Sequence, residues 1–362
     1  MRELENKGIE NDARDPDFSI VIPHLKYREN LYRCLNSIYE FTDESFEIIL
    51  VDNGSRDMSV ESIYPHFPDV LLVQTEQNLG FAGGCNAGIK KASGKYIVLL
   101  NDDTVMTPNW LKAVRDVFDK DTRCGVCQPK LLSYENRGFF EYSGSSGGFI
   151  DRYCYPFTRG RIFDTIERDE SQYNDRAEIF WGAGAALIFR RELIDRVGLF
   201  DEDFFAHMEE IDFCFRVHSS GYKVISVPDS VIYHKTASTL SPNNYLKMYL
   251  NHRNSLYLML KNYPLKSLIS NLSIRMLLDI SAFFYFLLKG EIKRPFAILT
   301  GYLSCLGELV SIFKKRRSPY IFLSDYYQRV FPKLFKKSIA LEYFIFKKHR
   351  FSDLNYSITE VR

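Results

Sequence analysis

The feature that most constrains this chain is a rhythm of short apolar runs, each stopping at polar or turn-forming residues. In the first hundred residues the runs are Phe18–Ile22 closed by Pro23, Phe46–Val51, Val70–Val73 and Tyr96–Leu100. Asn30 to Tyr39 has apolar residues at 31, 35 and 38, a helical period. Asn78 to Ile89 reads as a Gly-rich loop opening a helix. Strands alternating with helices predict an α/β domain on a mostly parallel sheet flanked by helices. The second run ends in Asp52-Asn53-Gly54-Ser55, the fourth in Asn101-Asp102-Asp103-Thr104. Such sheets bind ligands at the carboxyl ends of their strands. Adjacent carboxylates there are hard oxygen ligands, suited to Mg²⁺ or Mn²⁺ carrying a phosphorylated substrate. These residues alone leave open an acidic turn after a strand.

Beyond this unit the texture changes twice. Residues 134–180 are rich in Gly, Ser, Tyr and charge and read as an insertion of loops and short strands. Phe180–Phe189 begins a new core run, followed by Phe200–Phe205, Glu209–Arg216 and a strand over Tyr222–Val227. The expected divisions are a flexible N-terminus over 1–17, an α/β domain over 18–244 with halves 18–133 and 134–244, and a helical region over 245–362.

A formal net charge of +1 hides an asymmetry. Tyr245 to Arg362 holds 20 Lys and Arg against 7 Asp and Glu, and the preceding residues hold 27 against 39. Leu268–Leu288 is apolar but carries Arg275 and Asp279, and Phe296–Phe313 carries Glu308. A membrane span needs about 20 apolar residues with few charges, so neither run is a good span. Lys289, Lys293 and Arg294, then Lys314, Lys315, Arg316 and Arg317, flank them. The pattern predicts amphipathic helices on an anionic membrane surface; a helical subdomain with a solvated basic face, or a dimerisation surface, is the other reading. Cations beside apolar runs do not make a basic groove, so no nucleic-acid partner is expected.

Seven cysteines, an odd number in a long chain, are no disulfide framework. Cys124 and Cys127 have CxxC spacing without a second pair and read as part of a strand. The polar start Met1-Arg2-Glu3-Leu4 is not a secretory signal, and a reducing, cytoplasmic setting is expected.

Five stretches in order, Ile20–Pro23, Val51–Ser55, Asn78–Gly84 with Asn86, Asn101–Asp103 and Glu209–Arg216, resemble the inverting family 2 glycosyltransferases of GT-A fold. The likeness covers roughly Phe18 to Leu250 and is greatest to bacterial, rhamnosyltransferase-like enzymes that extend cell-surface polysaccharides. It implies a nucleotide-diphosphate sugar donor, UDP- or dTDP-linked, a saccharide or lipid-linked saccharide acceptor, and a divalent cation, Mg²⁺ or Mn²⁺. Work on such an acceptor implies a peripheral position on the cytoplasmic face of the inner membrane. Asp52 matches the acid that reads the pyrimidine, Asp102 the residue near the ribose, and Asp103 the metal ligand. Asn101 stands first in the family's DxD pattern. Pro23, Asn53, Asn78, Gly80, Gly83, Gly84 and Asn86 fall on the donor side, the glycines letting backbone approach the donor.

The resemblance also implies one general base that takes the acceptor hydroxyl proton. The family usually carries Glu-Asp where this chain has Glu209-Glu210. Glu210 is the base by position, and Glu209 and Asp212 remain alternatives. Arg216 is four residues after Asp212, the spacing of a helical ion pair. Some relatives use a His as second metal ligand where His234 stands. Trp181, Gly182 and Arg216 are expected on the acceptor side, with core packing the other reading of Trp181. Competing functions are a nucleotidyltransferase, a nucleic-acid-binding protein using the basic C-terminal region, and a non-catalytic nucleotide-sugar-binding scaffold.

Overall fold

The computed structural model describes residues 15–235, 244–316 and 323–361. Most of the expected flexible N-terminus (1–14) and Arg317 of the basic run lie outside the described residues.

The first half follows the predicted alternation: β1 (Phe18–His24), α1 (Arg28–Phe41), β2 (Phe46–Asp52), the short α2 (Ser59–Ile63), β3 (Leu71–Gln74), α3 (Gly80–Ile89) and β4 (Tyr96–Leu100). β1 is parallel to β2 and to β4, and β2 is parallel to β3. The register pairs Phe18 with Phe46 and with Tyr96, and His24 with Asp52. The polar ends of β1, β2 and β4 therefore share one edge. The expected Gly-rich loop is helical from Gly80 onward. A Cβ on Gly88 would lie 2.3 Å from Val21, so glycine lets α3 sit directly on β1.

The chain continues through β5 (Thr104–Met106), α4 (Trp110–Lys120) and β6 (Cys124–Ser133). Both CxxC cysteines lie in β6, and all seven cysteines are buried and free. The stretch 134–180 forms β7 (Gly148–Ile150), β8 (Pro156–Thr158), β9 (Arg161–Ile162) and β10 (Thr165–Ile166), a four-stranded antiparallel sheet, and then β11 (Ala177–Ile179). β12 (Ala186–Arg190), α5 (Leu193–Val197), α6 (Glu209–Ser219) and β13 (Lys223–His234) complete the main sheet and its cover.

The main sheet has nine strands in the order β11-β13-β6-β12-β4-β1-β2-β3, with β5 on β13. It is mixed rather than mostly parallel beyond β4. β12 runs antiparallel to β4 and β6, and β5 and β11 run antiparallel to β13. A parallel return needs a long crossover, usually a helix. Residues 134–180 supply a small sheet instead, and the chain re-enters in the opposite sense.

The C-terminal region carries α7 (Tyr245–Asn262), α8 (Leu265–Leu288), α9 (Lys293–Gly307), α10 (Leu309–Lys315) and α11 (Ile339–Phe344). Arg275 and Asp279, the charges that interrupt the apolar run, face inward and pair at 2.8 Å. Tyr155 and Tyr302 hydroxyls donate to Asp279, and Arg275 donates to the Tyr153 carbonyl. The outer face keeps Leu277, Phe284 and Leu288 exposed. With its charges on the inner face, α8 alone among the described helices is long and apolar enough to cross a membrane. α9 and α10 meet at 65°. The segment after α10 lies over the 134–180 insertion, where Phe351 and Tyr356 pack on Phe149 and Phe335 packs on Phe157.

Candidate active site

The acids after β4 do not form a free turn. His24, at the end of β1, pairs its Nδ1 with Asp102 Oδ2 at 2.6 Å, and its Nε2 lies 2.6 Å from Ser59 Oγ. Burial raises the Asp102 pKa, opposed by the His24 partner. Asp103 is buried, with Oδ1 2.9 Å from His234 Nε2 at the end of β13. The register of β13 with β5 sets His234 opposite Thr104, so strand pairing delivers the imidazole to the acid. On its other side His234 Nδ1 lies 3.2 Å from Glu141 Oε1. Burial alone would lower the His234 pKa, but the carboxylates of Asp103 and Glu141 hold it well above its ordinary value. The side-chain amide of Asn101 reaches His234 at 3.2 Å.

The donor-side residues divide. Asp52 lies on the shared edge and accepts the Ser55 N–H at 2.9 Å. Pro23 precedes His24 on β1. Asn53 is turned into the protein: its amide donates to the Gly80 carbonyl at 2.9 Å and its oxygen accepts the Leu79 N–H. Asn78 accepts the Gly80 N–H, and Asn86 is bound to both backbone groups of Phe200. These three asparagines hold loops. The glycines are explained by close packing too. Gly80 has φ 72°, and a Cβ there would sit 2.3 Å from the Phe205 carbonyl; one on Gly84 would meet Asn53 and Pro23. At Gly83 a Cβ would meet only the Leu79 side chain.

The Glu209-Glu210 pair opens α6, after a loop in which Phe205, His207 and Met208 all have positive φ, 61°, 69° and 74°. Non-glycine residues in that region store strain and persist only where surroundings enforce them. The enforcing group is Asn254 of α7, fully buried, whose amide donates to the carbonyls of Phe204, Ala206 and His207 at 2.9, 2.8 and 2.7 Å. Burial, then the Glu210 charge, push the Glu209 carboxyl well above the usual range. Burial also raises Glu210, opposed by backbone N–H groups at the helix start and by a hydrogen bond from Glu209. Glu209 is buried and Glu210 half-buried, so of the two Glu210 is the more accessible.

Four of the expected residues are engaged in packing. Asp212 is fully buried, held by Arg216, Lys261 and Asn262 at 3.1, 3.0 and 2.8 Å, and cannot reach a substrate hydroxyl. Arg216 forms the expected ion pair with it and donates to the Val197 carbonyl, away from any acceptor face. Trp181 is buried; its indole N–H donates to the Phe149 carbonyl and its ring covers Gly148. Gly182, beside it, sits where a Cβ would meet Leu187 at 2.5 Å, which also makes its role one of packing.

Sequence reasoning missed His24, Glu141, Lys247 and Asn254. His24 had a signal, since it follows Pro23 at a strand end. Glu141 lies in the insertion, where no period or motif marks it. Lys247 and Asn254 sit on a helix read only for its charge.

Among the described residues no group of three or more His, Cys, Asp or Glu side chains makes a self-sufficient metal site. Mg²⁺ is ordinarily held by one or two carboxylates plus substrate phosphates and water. Asp103 and His234 fit that smaller role. Both side chains are buried and their polar atoms converge, Asp103 Oδ1 lying 2.9 Å from His234 Nε2.

A family model described as glycosyl transferase family 2 matches residues 19–198. The N-acetylglucosaminyl-diphospho-decaprenol L-rhamnosyltransferase of Mycobacterium tuberculosis (strain ATCC 25618 / H37Rv) is 26% identical over 232 residues, 60% of this chain and 74% of that protein. The uncharacterized glycosyltransferase YwdF of Bacillus subtilis (strain 168) is 31% identical over 218 residues, 59% of this chain and 73% of that protein. The crystal structure of GalNAc-T7 with UDP, GalNAc and Mn²⁺ superposes with a TM-score of 0.54 at 17% identity, over 69% of this chain and 49% of its own. That of S. aureus TarS 1–349 superposes with a TM-score of 0.52 at 16% identity, over 86% and 91%. The α/β architecture, with its mixed sheet and flanking helices, is the GT-A fold.

Proposed function

The chain belongs to glycosyl transferase family 2, and from that premise we propose that it is an inverting enzyme passing a hexose or deoxyhexose from a UDP- or dTDP-sugar to a hydroxyl of a lipid-linked or growing saccharide. The relative named as a rhamnosyltransferase acts, by its name, on a diphospho-decaprenol-linked sugar, which supports a lipid-linked acceptor of the cell envelope. One observation carries the reading. The charge of Lys247 acts both on Glu141, which faces the His234 of the Asp103-His234 pair, and on His207, in the loop that leads to Glu209-Glu210.

In the proposed mechanism Asp52 contacts the base of the nucleotide and Asp102, fixed by His24, the ribose. Asp103 and His234 would hold a Mg²⁺ or Mn²⁺ ion, which when bound neutralises charge growing on the departing diphosphate. Glu210 accepts the acceptor hydroxyl proton as that oxygen bonds to the anomeric carbon. The bond from anomeric carbon to diphosphate oxygen breaks, and attack from the opposite face inverts the centre. Glu209 keeps its proton and orients Glu210. The exposed apolar face of α8 and α9, with the exposed cations Lys266, Lys289, Lys293 and Lys314, supports a peripheral seat on the cytoplasmic face of the inner membrane.

The test separates binding from transfer. Glu210→Gln should keep nucleotide-sugar binding and lower turnover by about 10²–10⁴-fold, the usual worth of a general base. Asp103→Ala should abolish the metal-dependent part of nucleotide binding measured by thermal shift. Normal turnover in Glu210→Gln removes the base assignment, and metal-dependent binding in Asp103→Ala removes the ligand assignment.

A further inference from the structure

Tyr142, one residue past Glu141, has two cations against its ring. Arg161 Cζ is 4.2 Å from the ring centroid and Lys247 Nζ is 5.6 Å from it. All three residues are half-buried. Among the described residues neither cation forms an ion pair. Arg161 donates one hydrogen bond, from Nη1 to the Phe163 carbonyl at 2.9 Å, and its buried Nε has no partner. Other sheltered cations in this protein are matched: Lys130 with Asp169 at 3.1 Å, Lys261 with Asp201 at 2.7 Å, and Arg275 with Asp279 at 2.8 Å. The carboxylate that acts on Lys247, Glu141, also faces His234, so one acid serves several cations, and two half-buried neighbouring positive charges so matched are relieved by a bound anion.

The location narrows the anion. On one side stands Glu141, which faces His234 and through it Asp103. On the other is the strained loop that leads to Glu210. Burial lowers the Lys247 pKa, the Glu141 carboxylate opposes this, and the Arg161 charge adds to it. Behind Lys247, α7 is tied to α9 by the Tyr245–Thr300 hydroxyl pair at 2.8 Å and by Tyr249 to Ser304 at 2.9 Å. α9 carries the exposed Leu299, Leu303 and Leu306. The cations thus lie between the reacting centre and an apolar face. A planar guanidinium beside a point-charge ammonium suits phosphoryl oxygens, and two cations in reach of each other suit two phosphates.

We propose that Arg161, Lys247 and Tyr142 form a diphosphate-binding station beside the transfer site. Its place in catalysis rests on the transfer reading above; its anion binding does not. The diphosphate can come from the departing nucleotide or from the link between an acceptor sugar and its lipid.

The experiment uses the full chain in EDTA, so that no metal contributes, and titrates inorganic pyrophosphate calorimetrically. The wild type should bind. Lys247→Met and Arg161→Gln should each weaken binding at least tenfold while melting as the wild type does. No binding by the wild type, or equal binding by both variants, overturns the proposal. Parallel titrations with UDP and geranyl diphosphate assign the source. Weakening of UDP alone supports the leaving group, of geranyl diphosphate alone the acceptor, and of both a shared station. A wild type that binds pyrophosphate yet transfers no sugar from any nucleotide sugar keeps the station and removes the transfer reading.

Discussion

At the scale of single residues, the carboxyl pair at the start of α6 makes the strongest demand. Glu210 must be ionised to act as a base, and its pKa is raised by burial. Turnover should therefore fall on acidification at a pH above the ordinary glutamate range. A rate profile with its acid limb at or below pH about 4.3, the value of a free glutamate, would point to another base. The loop before the pair depends on Asn254. Asn254→Leu removes this donor from the Ala206 and His207 carbonyls, while Phe204 keeps the Ala206 N–H, and should cost about 2 kcal/mol of stability. It should also lower turnover while nucleotide affinity holds, and denaturant melts with initial rates against donor concentration read the two effects. These residues also mark what was legible in the sequence. Asp102, Asp103, Glu210 and His234 stood out because each ends a strand or opens a helix beside an apolar run. Asp212, Arg216 and Trp181 stood out equally and are buried, because motif position does not say which face of a helix or loop meets the core.

At the scale of elements, the strands and helices up to β4 followed from local pattern alone, since each apolar run is bounded by its own turn residues. The antiparallel insertion of β12 did not, because strand direction depends on what joins the strands. The insertion is itself clamped by one acid. Asp151 is fully buried and accepts the N–H groups of Tyr153, Tyr155 and Ile339, each at 2.9 Å. Asp151→Ala leaves those donors unpaired and should destabilise the fold by about 3 kcal/mol or more, read from denaturant unfolding. Burial raises the Asp151 pKa to about 7, opposed by the three N–H bonds. The folded state then holds this proton more tightly than the unfolded chain. Its contribution is complete below pH about 4 and is lost as pH rises toward 7. Asp151→Asn should remove that share of the pH dependence of melting.

At the scale of the whole molecule, the charge asymmetry and the helical face belong together. Of the cations between and beyond the apolar runs, Lys289, Lys293 and Lys314 stay exposed, while Lys315 pairs with Asp201 and Asp203, Arg316 is buried on backbone carbonyls, and Arg275 and Asp279 are spent on attachment to the rest of the protein. The full chain should float with vesicles containing anionic lipid and remain behind with purely zwitterionic ones, and raising salt should release it. Flotation independent of lipid charge would favour insertion of α8 over surface attachment. That the two charges inside α8 face inward was not legible, because the partners that receive them, Tyr155 and Tyr302, lie far away in the sequence.

The final segment has a further consequence for how the protein comes into being. β11 sits at one end of the main sheet, and its outer side is met by the chain's last strand-like residues, with Glu178 N–H bound to the Thr359 carbonyl and Val361 N–H to that of Arg176. An uncovered outer strand invites pairing with another chain. On the ribosome, β11 is made long before Thr359 emerges. The nascent protein therefore carries an open seam from the synthesis of β11 until residues 359–361, about 180 positions later, emerge to seal it.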